Sequence, residues 1–375
     1  MENNDTTFNE QINTEEFVVN IGPQHPSTHG VLRIEATLDG ETVKDILPHL
    51  GYIHRGIEKM SEHLGYKQSI YLTSRMDYLS AHINNHACSL LIEKACGIEV
   101  PERAKAIRLI MDELQRLTSH QLWWGSCAMD IGAVTPFFLG FRDRERILDI
   151  FEANTGNRLT MNYIVPGGVM KDVLPNFVSD VRHILYEVKN NLKEYDRLIT
   201  GNFIFQHRTK GVGYLDKETA ISLGCTGPVA RASGVQCDVR KLYPYDGYEK
   251  LEFKEIINSG GDSWARYVVR MEEMRQSIHI IEQLLDNFPE GEVRTKIKGI
   301  LKVPAGEYYQ RVETARGELG VYMVSDGSAK PYRLKYRTPC FSNLGAVNAI
   351  GKGLKLGDLM AAMATIASVI PDMDR

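Results

Sequence analysis

The chain has 375 residues, 43% of them hydrophobic and 25% charged, with a formal net charge of −4. That is the balance of a globular protein; it leaves no overall basic field to recruit nucleic acid. No uninterrupted apolar run reaches the roughly 18–20 residues that a membrane span needs.

Residues 1–15 are rich in Asn, Glu, Asp and Thr and read as a disordered extension without the apolar core of a signal peptide. The protein is therefore expected in the cytoplasm unless a partner holds it at a membrane. Residues 16–375 read as a single domain, with a β-hairpin region at 16–50. Glu16–Ile21 is predicted as a strand, and Val31–Leu38 as another, with Leu32, Ile34, Ala36 and Leu38 on one side. Asp39-Gly40 signals a hairpin turn into a third strand from Thr42. From Gly51 the periodicity turns helical. Segments begin at His54, run over Tyr66–Ser80 and Asn84–Cys96, and continue as a long helix from Pro101 to about Cys127. Phe137–Asn154 and Asn176–Ile199 resume the pattern on either side of a stop at Pro166-Gly167-Gly168. Residues 201–260 carry few helical signals. Asp262 or Ser263 caps a helix to about Asn287. Glu318–Val324 with Tyr332–Tyr336 predicts a second hairpin, and Leu354–Val369 a last helix. The fold class is α+β: a mainly helical bundle core with small antiparallel sheets.

Several constellations could carry chemistry. Between the first two strands lies Gly22-Pro23-Gln24-His25-Pro26-Ser27-Thr28-His29-Gly30, a loop stiffened by two prolines and bearing two histidines. Its histidines could bond the backbone of a structural turn or face a ligand. A metal would need further ligands of suitable kind, and no known zinc spacing supplies them. Arg75-Met76-Asp77-Tyr78 places a phenol beside a cation and a carboxylate, either a proton donor or a salt-bridged turn. Asp130 sits in an apolar stretch, where a carboxylate needs a partner such as histidine or arginine, unless it caps the helix near Phe137. Arg55 and Arg231, each near glycines, could aim positive charge at a ligand or form surface ion pairs. The six cysteines, Cys88, Cys96, Cys127, Cys225, Cys237 and Cys340, contain no CxxC pair, so no self-contained iron–sulfur site is expected.

Six motifs occur in one order: GPQHPSTHGVLR at 22–33, HRGIEK at 54–59, SRMDYLS at 74–80, DIGAVTPFF at 130–138, YIVPGGV at 163–169 and GVYMVSDGSAKPYR at 320–333. Together they resemble the D-type, or 49-kDa, subunit of respiratory complex I, the proton-pumping NADH–quinone oxidoreductase, from about residue 16 to the end of the chain. That family is similar in turn to the large subunit of nickel–iron hydrogenases. The two CxxC pairs of the hydrogenases would fall at Asp77 and Ser80 and near Val369 and Asp372. None of these is cysteine, so a thiolate-held nickel–iron centre is excluded and no metal is expected on this chain.

The resemblance implies a peripheral subunit on the cytoplasmic side of the bacterial cell membrane, active only within the complex. It implies three partners above all: the B-type subunit with the terminal cluster, the C-type subunit, and the H-type membrane subunit that forms the quinone channel. The [4Fe–4S] cluster is implied in the B-type neighbour, with quinone as substrate. It implies that His29 and Tyr78 hydrogen-bond the two quinone carbonyls, that His25 is the second loop histidine of the site, and that Asp130 pairs with His29. Arg55 and Arg75 are implied beside the terminal cluster. One departure stands out: the histidine that many members carry before the YIxPGG motif is Thr160 here, which predicts a cluster potential with little pH dependence. Two other readings are an equivalent subunit of a complex fed by ferredoxin or reduced deazaflavin, and a hydrogenase-like scaffold without chemistry.

Overall fold

The computed structural model describes residues 16–25, 30–297 and 299–375. The predicted extension at 1–15 lies outside them. The first three strands are β1 (Glu16–Ile21), β2 (Arg33–Asp39) and β3 (Thr42–His49), an antiparallel sheet in the order β1-β2-β3. The alternation in β2 has the expected result: Ile34, Ala36 and Leu38 are buried, and Ala36 pairs with Ile46 of β3. Strand β2 begins at Arg33 rather than Val31.

The helical half opens with α1 (Ile57–His63), α2 (Tyr66–Thr73), α3 (Ala81–Cys96), α4 (Glu102–Asp130) and α5 (Thr135–Thr155). The predicted helix over 66–80 is cut at Thr73, and residues 74–80 form turns instead. Ser80 N donates to Asp77 O at 3.0 Å, and Asp77 Oδ1 accepts from Leu79 N at 3.0 Å. An aspartate that bonds the backbone two residues on stabilises a turn in competition with the helix. Helix α4 is the spine, packed against α3, α5, α11 (Ser263–Asp286) and α14 (Leu356–Ala364). Its apolar residues Ile107, Ile110, Leu114 and Leu117 are buried at the predicted spacings of three and four, and Trp124, seven residues on, is buried too. Trp124 stacks on Tyr195 of α6 (Phe177–Tyr195), ring centroids 3.8 Å apart. Truncating any one of these large apolar side chains to alanine costs about 2–5 kcal/mol.

The remaining elements fill in around this spine. A short ribbon, β4 (Ile164–Val165) and β5 (Gly168–Val169), marks the Pro-Gly-Gly stop. Residues 201–260 hold four short helices, α7 (Phe203–Thr209), α8 (Lys217–Ser222), α9 (Gly227–Arg231) and α10 (Val239–Leu242), which average periodicity does not detect. Asp262 caps α11, accepting from Ala265 N at 2.7 Å. The second sheet has three strands, not two: β6 (Gly306–Thr314) joins β7 (Gly317–Ser325) through Ala315-Arg316, and β8 (Arg333–Arg337) completes it. The chain ends in α12 (Pro339–Leu344), α13 (Ala346–Gly351), α14 and α15 (Ile370–Met373). The predicted helix over 354–369 thus stops at Ala364, and Ala367 takes a left-handed φ of 61°. That break turns the last residues inward, against the turn at 74–80. No helix among the described residues is long and apolar enough to cross a membrane.

Candidate functional site

The hairpin between β6 and β7 carries Arg316 into the interior, where it is 4% exposed. Its Nη1 donates to Asp77 Oδ2 at 3.0 Å and to Ser119 Oγ of α4 at 2.8 Å, while Nε donates to Ala367 O at 3.0 Å. One guanidinium therefore joins the 74–80 turn, the spine helix and the C-terminal segment. Asp77 is 1% exposed, so the charge-assisted bond from Arg316 is what allows the carboxylate to stay inside.

Asp372 stands on the other side of this group. Its Oδ2 accepts from the backbone N–H of Cys340 at 3.3 Å. Burial, and then the facing Asp77, push its carboxyl up to about 7. Ser80 belongs to the Asp77 turn, and Val369 accepts from Asp372 N at 3.2 Å. Asp77, Ser80, Val369 and Asp372, the positions where the resemblance sets the hydrogenase cysteines, are all buried, with Arg316 and the Cys340 thiol among them. Sequence reasoning did not single out Arg316, Cys340 or Asp372 as site residues. Arg316 lies in the two-residue turn between β6 and β7, and the mixed pattern of β6, GEYYQRVET, hides that turn in the sequence.

Tyr78 is half-buried beside this cluster. Burial, followed by Asp77, raises its phenol pKa, against the opposing influence of Arg316 and Arg144. A phenol so placed stays protonated at neutral pH and can act as a donor. Gly30, at the base of the histidine loop, packs against α15. Gly30 has φ +148°, and a Cβ there would lie 2.8 Å from Ile370 Cγ1, so only glycine lets the loop base sit this close to α15. His25 is exposed and bridges to Gly30 through the backbone. His29 lies outside the described residues.

Asp130 is the last residue of α4 and half-buried. It is not the cap of the next helix, since Val134 holds that position. A carboxylate at a helix C-terminus opposes the helix dipole, so helix stability does not explain its placement. One turn earlier the Cys127 thiol is pushed up to about 12 by burial and then by Asp130. Arg55 and Arg75 are both exposed and adjacent: Arg55 Nη2 donates to Arg75 O at 2.7 Å. The Arg55 loop is held by the chain terminus, where Asp374 Oδ2 accepts from Gly51 N and Ile53 N, both at 2.9 Å.

Arg231 corrects one of the sequence alternatives. It is fully buried between Glu273 and Glu313 rather than in a surface ion pair, with Nη1 donating to Glu313 Oε1 at 2.7 Å. Glu273 also meets His120 Nε2 at 3.0 Å. A second buried group surrounds Glu113, which accepts from Arg116, Arg240, Tyr248 and Ser277.

Residues 130–301 and 296–375 match the family model of the respiratory-chain NADH dehydrogenase 49-kDa subunit. A C/D-type NADH-quinone oxidoreductase subunit of Bacteroides fragilis is 53% identical over 377 residues, covering 100% of this chain and 71% of that protein. A D-type subunit from Dehalococcoides mccartyi is 47% identical over 365 residues, covering 97% of this chain and 100% of the relative. Another, from Desulforamulus reducens, is 47% identical over 363 residues, with 97% and 99% covered. The chain belongs to the 49-kDa subunit family of respiratory complex I. It is a peripheral-arm subunit of that assembly, and its partners are the other subunits of the complex.

Proposed function

We propose that this chain forms the quinone-reduction site of the proton-translocating NADH–quinone oxidoreductase, with Tyr78 and His29 as the two donors to the quinone oxygens. The observation that carries this reading is the half-buried Tyr78 set against the Asp77–Arg316–Asp372 cluster, with the base of the histidine loop seated on the neighbouring Ile370. Reducing a quinone to the quinol takes two electrons and two protons. The electrons come from the terminal [4Fe–4S] cluster of the B-type neighbour. The Tyr78 hydroxyl gives one proton to one carbonyl oxygen, and a cationic His29 gives the other. Asp130 stabilises the imidazolium before transfer, and His25 borders the same loop.

The exposed pair Arg55 and Arg75 faces the cluster in this reading, and its positive charge favours the reduced state. The chain then contacts the B-type, C-type and H-type subunits and sits on the cytoplasmic side of the membrane. Tyr78→Phe in the assembled complex is expected to lower quinone reduction about 100-fold, as is His29→Ala, while assembly and the cluster signal survive. Full activity in assembled Tyr78→Phe complex would overturn the site assignment.

A further inference from the structure

Resting on the site just proposed, we infer that the seam between α3, α4 and α5 is a hydrated proton path running from a surface cavity at Asp246, through His86, Asp112 and His82, to the Tyr78 turn. The outer end is a cavity of about 350 Å³ whose lining includes Glu102, Lys105, Asp246, Lys250, Gln283 and Asn287. Asp246 holds a left-handed φ of 48° at its edge and turns its carboxylate inward. Its Oδ2 lies 2.9 Å from His86 Nε2 and accepts from Arg108 Nη1 at 3.0 Å.

His86 is buried, and its other nitrogen, Nδ1, lies 2.6 Å from Asp112 Oδ2. Burial raises the Asp112 carboxyl against the lowering pull of His86; with both carboxyls ionised, the two acceptors on one ring hold both of its nitrogens protonated. Burial opposes that charge, but Asp112 and then Asp246 outweigh it and lift the imidazole to about 9. The ring of Tyr245 packs edge-on to it. His86 is thus a resting proton source with one side toward the cavity and the other toward the interior.

Inward of His86 several polar atoms lack partners. Asp112 Oδ1, both ring nitrogens of His82, Ser80 Oγ, Asn84 Oδ1 and Gln115 Oε1 are all buried without a hydrogen bond. They belong to residues along one stretch of chain: His86 faces Asp112 at one end, Gln115 Nε2 donates to Leu79 O at 3.1 Å at the other, and Asn84 Nδ2 donates to Thr73 O and Asp77 O beside the Tyr78 turn. Buried polar groups are nearly always satisfied, and a run of orphans in one place is the mark of internal water. The interval from residue 86 to residue 79 along α3 and its N-terminal turn is about 10 Å, short enough for a few waters. His82 sits one helical turn from His86, edge-on to Phe151 of α5 and to Tyr163. Burial, and then His86, press it down to about 3, so its ring is neutral, with one donor and one acceptor nitrogen. A neutral imidazole relays a proton by taking it on one nitrogen and releasing it from the other.

The step balances. Tyr78 gives its proton to the reduced quinone and becomes a phenolate. A proton then moves along the water file and the His82 ring to restore the phenol, leaving His86 one proton short. The cavity side refills His86 past Asp246. His82 acts here as a relay and His86 and Asp112 as its source; none of them touches quinone.

The test uses the intact complex carrying His82→Met, which keeps bulk and removes both nitrogens. Turnover is expected to fall at least about tenfold, with quinone KM within twofold of wild type, an enlarged solvent deuterium effect and unchanged reduction of the terminal cluster by NADH. Asp246→Asn, at the cavity edge, should show the same split. Normal turnover and isotope effect in either assembled variant overturn the path. The wild-type complex supplies a measurement independent of folding: its density map should show waters on His82 and Ser80, and a dry seam there also overturns it. If Tyr78→Phe keeps full quinone reduction, the site reading fails. If Tyr78→Phe is dead and His82→Met is normal, only the path fails.

Discussion

Arg316 Nη1 donates to Asp77 Oδ2 at 3.0 Å, tying two residues 239 positions apart in the chain. The pair is almost wholly buried, and the same guanidinium reaches α4 and the C-terminal segment. Arg316→Met leaves the Asp77 carboxylate inside without its counter-charge, so the full chain should lose about 3–5 kcal/mol of stability. Arg316→Lys keeps the charge but not the fork, and should lose less. Urea denaturation midpoints distinguish the two.

The His86 imidazole gives stability a pH dependence. Its folded value of about 9 lies above the ordinary 6.5. Between these values the folded state holds the extra proton, so the contribution is complete below pH 6.5 and disappears as pH rises through 9. The size is on the order of 3 kcal/mol. Denaturation across pH 6.5–9 should show a steeper loss in wild type than in His86→Gln.

Arg55 and Arg75 share one surface, joined by a 2.7 Å bond. If that surface meets the terminal cluster, removing either charge makes reduction less favourable. Arg75→Met should lower the cluster midpoint potential in the assembled complex. Arg55→Met should lower it too, and an unchanged potential in both would place the pair away from the cluster. Redox titration reads this directly.

Thr160 should leave the cluster potential nearly flat with pH. Asn157 Nδ2 donates to the Thr160 carbonyl at 3.2 Å, in the loop before Tyr163. The His82 ring packed on Tyr163 does not replace a titrating group, because burial keeps it neutral far below neutral pH. Titrating the cluster at several pH values checks this, and a steep slope would contradict it.

Much of this molecule was written in local pattern. The alternation in β2, the hairpin at Asp39-Gly40, the apolar spacing of α4 and the Asp262 cap all follow from side-chain period and backbone chemistry. Those depend on neighbours within a few residues, so sequence alone located them. Strand β6 escaped because its residues alternate weakly, and its pairing with β7 supplies what its own pattern lacks. The helix predicted over 66–80 was cut by a turn that Asp77 stabilises and Arg316 makes affordable in the interior. Arg231, open between a ligand contact and a surface pair, is clamped by Glu273 and Glu313, which come from distant elements.

The sequence by itself determined the family and the helical spine, and through the resemblance it offered Tyr78 and His29 as candidate donors. The ordered series of motifs carried that information. Tertiary structure alone decided that Asp77, Arg316, Cys340 and Asp372 meet, and that His86 is held between Asp112 and Asp246. A charge enters a protein interior only with a partner, and that partner is chosen by where the chain folds back rather than by what lies beside it.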